Sequence, residues 1–485
     1  MKSRQAEIGV IGLAVMGQNL VLNMCDHDFV VAVFNRTYAR TQEFLDGLGD
    51  HPPLIGCATI EDFFSALQRP RKVLLMVKAG KPIDDLLEES LPFLEAGDIL
   101  IDGGNSHYRD TARRTKLLQA KGIHYIGMGI SGGEEGARHG PSMMPGGSYD
   151  AWPHVKEIFR SIAARADDGE PCCDWIGEGG AGHYVKMVHN GIEYGEMQII
   201  CEAYDILKRV AGCSLERLQK IFEEWNHGPL SSYLIEITAQ IFAFQSEDGS
   251  PLLDKILDVA GQKGTGKWTG IEALDQESPV TLIVEAVLAR SLSGLKRERE
   301  AAAERFALNI QRRPVEEEKF IEQIGKALYA AKIISYTQGF MLMRSAASAM
   351  DWELNYSVIA MIWRAGCIIR SQLLDRISQA FAHNPALPSL LFDDFFAQEI
   401  CDTESALREV VATACLAGVP VPCFSAALAF FDGIRSNPLP TNLIQAQRDF
   451  FGAHTYERID QPRGQFFHTN WTGTGGKVSS TTYNA

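Results

Sequence analysis

The run Lys186-Met-Val-His-Asn-Gly-Ile-Glu-Tyr194 places a lysine, an amide and a carboxylate where one helix face would gather them. At helical spacing Lys186, Asn190 and Glu193 stand at i, i+4 and i+7, with His189 and Tyr194 at the border of that face. A lysine whose pKa is lowered accepts a proton, and a carboxyl whose pKa is raised donates one. The stripe is therefore suited to general acid–base work on a polar substrate. Apolar Met187, Val188 and Ile192 between the polar positions are unusual for a solvated helix. The same spacing also fits an ordinary surface ion pair, so the surrounding elements must decide.

The segment Gly177-Glu-Gly-Gly-Ala-Gly182 is a breaker cluster that predicts a helix from about His183. Before it, from Glu7 to about Ile176, short apolar runs (Ile8–Ile11, Val30–Phe34, Val73–Val77, Ile99–Asp102 and His124–Met128) alternate with helical patterns such as Gly17–His27 and Ala39–Leu48. That alternation predicts a doubly wound parallel sheet. Its least regular part lies between Asp50 and Arg71, where Pro52-Pro53 and Pro70 interrupt the pattern. After the cluster the chain reads as helix, with apolar periodicity and little strand signal. The expected organisation is an α/β Rossmann-like domain over 1–178, a large all-α domain over 179–436 and an extended tail over 437–485. The lysine stripe then lies just past a domain boundary, where clefts form. Ile221-x-x-x-Trp225-x-x-Gly228 recurs as Ile359-x-x-x-Trp363-x-x-Gly366, which suggests an internal duplication of the helical part. The tail, including Thr472-Gly-Thr-Gly-Gly-Lys-Val-Ser-Ser-Thr-Thr482, is too polar to build its own core. It is either disordered or docked elsewhere, and Phe466, Phe467 and Trp471 favour docking.

Composition is that of a globular chain of 485 residues, 46% hydrophobic and 22% charged. A net charge of −15 argues against nucleic acid as a partner and leaves room for a small phosphorylated ligand held by local cations. Met1–Glu7 carries no apolar leader signal, and no apolar run approaches the roughly 18 residues of a membrane span. The ten cysteines lack CxxC spacing and read as reduced, in a cytoplasmic protein. No cluster has metal-ligand spacing, so no metal is expected.

Gly12-Leu13-Ala14-Val15-Met16-Gly17 follows the first strand and opens the first helix. It is a GxGxxG variant with alanine in the middle place, and in a strand–turn–helix unit it predicts a dinucleotide pyrophosphate site. An NAD enzyme carries an acid at the end of the second strand for the ribose hydroxyl; here Asn35, Arg36 and Thr37 stand instead. A guanidinium suits a 2′-phosphate, which points to NADP; the alternative is that Arg36 is a solvated loop residue. Val77, Lys78 and Ala79 end a further strand, Asn105 follows the next, and Ser131-Gly132-Gly133 follows the strand after that. Ligands of open α/β sheets sit at such carboxyl ends.

With these segments the chain resembles the 6-phosphogluconate dehydrogenases over essentially its full length. The resemblance rests on Gly12–Asn19, Asn35–Thr37, Ile130-Ser-Gly-Gly-Glu-Glu-Gly136, Lys186–Tyr194, Gly261-Gln-Lys-Gly-Thr-Gly-Lys-Trp-Thr269, Gln447-Arg-Asp-Phe-Phe-Gly-Ala-His454 and Phe467-His-Thr-Asn-Trp471. It implies oxidative decarboxylation of 6-phosphogluconate to ribulose 5-phosphate with reduction of NADP, by a homodimer whose tail enters the second subunit. It places the catalytic lysine on Lys186 and the catalytic glutamate on Glu193. Substrate contacts fall on Asn105, Ser131, Gly132, Gly133, His189, Asn190, Tyr194, Lys263, Thr265 and Arg290, with Arg448 and His454 supplied by the partner. Tyr38-Ala-Arg40 and Glu196 depart from the family pattern without touching a named role. The residues independently allow Lys263, Thr265 and Arg290 to hold a phosphate. Another β-hydroxyacid dehydrogenase would lack these three and the tail; a non-catalytic NADP-binding regulator would have lost the lysine–glutamate pair.

Overall fold

The computed structural model describes residues 5–48, 54–306, 316–475 and 480. The chain divides into two compact units, Met1–Leu428 and Ala429–Ala485.

The first unit opens with β1 (Ile8–Ile11), α1 (Val15–Asp26), β2 (Val31–Phe34), α2 (Tyr38–Asp46), β3 (Leu54–Gly56), α3 (Ile60–Ser65), β4 (Lys72–Leu75), α4 (Lys81–Ser90), β5 (Ile99–Asp102), α5 (Tyr108–Gln119) and β6 (His124–Ser131). Next come α6 (Gly133–His139), β7 (Ser142–Gly147), α7 (Trp152–Ile162) and β8 (Gly177–Glu178). The described strands form one sheet in the order β3-β2-β1-β4-β5-β6-β7-β8. Alternate residues of its strands feed two cores, one on each face. Val31, Val33, Leu74, Ile99 and Ile101 pack with Leu20, Met24 and Phe159 on one side. Ala32, Phe34, Val73, Leu75 and Leu100 pack with Phe63, Leu87 and Leu118 on the other. This is the period-2 burial of a sheet covered on both faces.

Two sequence expectations need correction. The sheet is not wholly parallel: β7 runs antiparallel to β6, from Ile126 opposite Gly147 to Ser131 opposite Ser142. The connection between them holds only the short α6, and a parallel crossover needs about a dozen residues or more. The strand Ser142-Met-Met-Pro-Gly-Gly147 escaped notice because proline and glycine are poor strand signals. In addition, β6 continues to Ser131, past the expected end at Met128, so Ser131 is a strand residue. Pro52 and Pro53 lie outside the described residues, and the irregular stretch around them resolves into β3 and α3.

The helical part consists of α8 (Ala181–Ile206), α9 (Leu215–Trp225), α10 (Tyr233–Ala243), α11 (Thr265–Asp275), α12 (Thr281–Ser293), α13 (Lys296–Arg305), α14 (Glu317–Met350), α15 (Tyr356–Ile362), α16 (Leu373–His383), α17 (Asp394–Ala417) and α18 (Pro422–Ile434). The long α8 and α14 pack together and share the buried ion pair Lys332–Glu196 at 3.0 Å. Each of the two Trp/Gly motifs sets its tryptophan against a long helix. Trp225, at the end of α9, lies against Gly325 of α14, while Trp363, at the end of α15, lies edge-on to His189 of α8 at 5.5 Å. Ser232 and Ser371 meet in an antiparallel bridge between the segments that follow. No helix among the described residues is long and apolar enough to cross a membrane.

The second unit contains α19 (Thr441–Gly452) and a hairpin of β9 (Tyr456–Glu457) and β10 (Phe466–Phe467). A polar centre organises it. The fully buried Asp449 carboxylate accepts from the backbone N–H groups of Thr455 and Thr469, both at 3.0 Å, and from Trp471 Nε1 at 2.8 Å, with His468 Nδ1 at 2.9 Å. Burial pushes this carboxyl up, but these hydrogen bonds outweigh it and hold the group below its usual range. The described tail is thus ordered locally around one carboxylate, while Phe466 and Trp471 stay 42% and 44% exposed. Of the Thr472–Thr482 run, 476–479, 481 and 482 lie outside the described residues.

Candidate active site

Helix α8 starts after Gly179 and Gly180 and crosses β6 and β7 at close range. A Cβ on Gly129 of β6 would come within 2.4 Å of the Lys186 Cβ, so only glycine there lets the lysine sit against the strand. This seats Lys186, 7% exposed, beside the carboxyl end of β6, where Ser131 is buried.

The predicted stripe forms one connected group. His189 is fully buried, with its Nδ1 at 3.5 Å from Lys186 Nζ, 3.1 Å from Asn190 Oδ1 and 3.8 Å from Glu193 Oε2. Its Nε2 lies 3.5 Å from Ser131 Oγ. Asn190 Nδ2 donates to Thr265 Oγ1 at 3.0 Å, which turns Asn190 Oδ1 toward the imidazole. The hydrogen-bond pattern therefore assigns the proton of neutral His189 to Nδ1 and makes Nε2 the acceptor for Ser131. Lys186 Nζ then faces an N–H, an arrangement that suits an amine better than an ammonium. Burial lowers the Lys186 pKa, opposed in part by Glu193, and pushes the His189 pKa well below the usual range. Burial also raises the Glu193 carboxyl, against the pull of Lys186 and Arg290. The pair is thus poised with a proton acceptor at one end and a proton donor at the other.

Around this group, the Arg290 guanidinium stacks 3.6 Å over the Tyr194 ring and donates from Nη1 to the Gly261 carbonyl at 3.3 Å. Gly266 leaves room for that ring, since a Cβ there would meet it at 2.5 Å. Thr265 is buried and Lys263 exposed at the start of α11. Gly132 is half-buried against the Gly366 backbone and Gly133 is exposed. Asn105 is exposed beyond β5, in a turn held by Asp102, which accepts from Gly104 N–H at 3.1 Å and Ser106 Oγ at 2.6 Å. Arg448 and His454 belong to the second unit, where Arg448 Nη1 donates to Gln445 Oε1 at 3.1 Å and His454 Nδ1 lies 3.1 Å from Ser480 Oγ.

The glycine-rich turn fits a pyrophosphate. Gly12 has φ +103°, and a Cβ on it would strike the Met76 carbonyl at 2.6 Å. Leu13 is buried; Ala14, the N-cap of α1, has no capping side-chain bond, and Ala14 and Val15 are exposed, so the helix's first N–H groups face outward. Met16 and Gly17 turn into the helix packing. Asn35 has a role the sequence did not disclose. Its Oδ1 accepts from Leu13 N–H at 3.2 Å and its Nδ2 donates to the Thr37 carbonyl at 3.1 Å, so it braces the turn. Arg36 and Thr37 are exposed beyond β2; Lys78 is exposed and Val77 and Ala79 half-buried beyond β4. Across the sheet order β2-β1-β4-β5-β6 the candidate positions follow one another along a single edge, from Arg36 to Ser131.

Sequence reading missed Trp363, whose ring backs His189, and Thr269, whose hydroxyl donates to the Met187 carbonyl at 2.8 Å. In the sequence Trp363 stands out only as a repeat residue; nothing local connects it to position 189.

Residues 7–177 match the NAD binding domain of 6-phosphogluconate dehydrogenase, and residues 182–471 match the 6-phosphogluconate dehydrogenase C-terminal domain. Proteins named 6-phosphogluconate dehydrogenase, decarboxylating, are similar over 99% of this chain: that of Rattus norvegicus at 57% identity over its whole length, and that of Haemophilus influenzae at 56% identity over 99% of its length. Among solved structures, the 6-phosphogluconate dehydrogenase of Plasmodium falciparum, described as apo, with its cofactor NADP+ and with its substrate 6-phosphogluconate, has a TM-score of 0.93 at 46% identity. It covers 96% of this chain and 100% of its own. The chain belongs to the 6-phosphogluconate dehydrogenase family.

Proposed function

We propose that this protein catalyses the oxidative decarboxylation of 6-phosphogluconate to ribulose 5-phosphate and CO2, with reduction of NADP to NADPH, as a cytoplasmic enzyme. The observation that carries the reading is the buried Lys186–His189–Asn190 group with the half-buried Glu193 beside it, in which lysine is driven toward the amine and glutamate toward the acid. The full-length similarity to enzymes of that name supports it. The test is an assay with 6-phosphogluconate and either NADP or NAD, following reduced cofactor and CO2. Strict dependence on 6-phosphogluconate is expected, and turnover of only a smaller β-hydroxyacid would refute the reading.

Gly12, Leu13, Ala14, Val15, Met16 and Gly17 would hold the pyrophosphate, and Arg36 and Thr37 the 2′-phosphate, with Asn35 bracing the turn. Val77, Lys78, Ala79 and Asn105 would lie along the way to the nicotinamide. When bound, NADP supplies the hydride acceptor. Neutral Lys186 takes the proton of the substrate's 3-hydroxyl as that carbon is oxidised. The ammonium so formed donates to the new 3-ketone and draws the electrons released when the carboxylate leaves as CO2. Glu193 then protonates the carbon that becomes C1 of the product. His189, held by Asn190 and Ser131, keeps Lys186 and Glu193 in register. Gly132 and Gly133 would offer backbone N–H groups to the substrate carboxylate, Tyr194 would line the sugar chain, and Lys263, Thr265 and Arg290 would hold the phosphate.

Arg36→Ala is expected to weaken NADP binding by about one to two decades, the worth of one charged hydrogen-bonded contact, while NAD affinity stays nearly constant. Titration of each cofactor measures it; equal weakening of both would assign Arg36 to the adenine or to the loop.

The domain reading of 1–178, 179–436 and 437–485 joins naturally to a homodimer in which Arg448 and His454 complete the partner's site. Exposed Leu443, Ile444, Phe450 and Phe451 on and beside α19 support a covered surface there. Mixing inactive Lys186→Ala subunits with inactive Arg448→Ala subunits should restore activity, because some heterodimers then hold one intact site. A mixture that exchanges subunits and stays inactive would refute the shared site.

A further inference from the structure

Helix α11 is held on two sides. Toward α8, Thr265 accepts from Asn190 at 3.0 Å and Thr269 donates to the Met187 carbonyl at 2.8 Å. Along the same helix, Glu272 and Asp275 turn to the N-terminus of α5. There Tyr108 O–H donates to Glu272 Oε2 at 2.7 Å, and Arg109 Nη2 reaches Glu272 Oε2 at 3.2 Å and Asp275 Oδ2 at 3.0 Å. His107 stacks on Tyr108 with ring centroids 4.9 Å apart and meets Trp268 edge-on at 5.1 Å. Tyr108 and Glu272 are buried. Asn105, at the cofactor edge, precedes His107 by two residues, and Trp268 follows Thr265 by three. One rigid element therefore joins the turn that presents Asn105 to the threonine that fixes Asn190.

We propose that Tyr108, with Glu272 and the His107–Trp268 contact, is a positioning latch that couples occupancy of the cofactor edge to the geometry of the substrate pocket. The inference rests on the functional reading above. The latch residues are not among those assigned above to either ligand; the latch fixes how far the Asn105 turn stands from Thr265, so a cofactor that shifts one end changes the affinity at the other. Burial and Glu272 push the Tyr108 phenol far above its ordinary range, so it remains a donor.

The test is calorimetric titration of 6-phosphogluconate into the free enzyme and into enzyme saturated with NADPH, a pair that does not turn over. The ratio of the two affinities is the coupling. In the wild type the ratio should depart from one by about fivefold or more. In Tyr108→Phe it should fall to within about twofold of one, while the affinity of the free enzyme changes less than the ratio does. Glu272→Gln keeps an acceptor for the hydroxyl and should retain the wild-type ratio. Tyr184→Phe removes a hydroxyl from the ring packed edge-on against Tyr108 at 5.0 Å and should also retain it. Thermal midpoints of all variants separate lost coupling from lost folding; if Tyr108→Phe is destabilised, Trp268→Phe, which keeps the edge contact, against Trp268→Leu, which removes it, gives the same comparison. A wild-type ratio of one, or a Tyr108→Phe ratio equal to the wild type, overturns the latch while leaving the enzyme reading in place. A wild type that binds NADPH but neither binds nor oxidises 6-phosphogluconate overturns both.

Discussion

Lys186→Arg is expected to lower turnover by roughly 10²–10⁴-fold or more, because one residue then fails as base in the oxidation and as acid in the decarboxylation. An unperturbed lysine titrates near 10.4, and burial brings Lys186 down from there. Arginine remains charged at any usable pH, so it cannot take the hydroxyl proton. The lysine stem lies against Gly129, and Nζ faces the His189 N–H. Steady-state rates and the thermal midpoint together are the measurement. A folded Lys186→Arg variant with more than about a tenth of the wild-type rate would take the base role away from Lys186, since loss of a general base costs far more.

Glu193→Gln should slow the late protonation by a comparable factor, about 10²–10⁴-fold, and hydride transfer by much less. Glutamine keeps the shape but has no acidic proton to give. Tritium exchange at C1 of ribulose 5-phosphate isolates the step, and exchange at the wild-type rate would remove Glu193 from it. The pH profile gives a second reading. Activity needs Lys186 without its proton and Glu193 with its proton, so it falls at low pH, where the lysine is protonated, and again at high pH, where the carboxyl is ionised; the lowered lysine pKa and the raised carboxyl pKa both enlarge the fraction of enzyme in that form. In the Gln variant the alkaline limb should vanish.

The amino-acid sequence by itself determined the local elements and the chemistry they carry. Continuous apolar runs marked β1, β2 and β5, because strands covered on both faces bury every residue, and helical spacing marked the helix of Lys186–Tyr194. The glycine-rich turn and the missing acid after β2 were equally legible, since each is a backbone or charge requirement met within a few residues. The tertiary structure decided what depends on separation along the chain. It reversed β7, because loop length and not composition sets strand direction there. It gave Asn35 to the turn at Leu13. It also set Trp363 behind His189 and Tyr108 against Glu272, two contacts that no local pattern could announce. Finally, it supplied the desolvation that lowers the Lys186 pKa and raises that of Glu193. Spacing on a helix can align those two groups, but only the packing of β6 and α11 against that helix takes water away from them, and their pKa values follow from that exclusion.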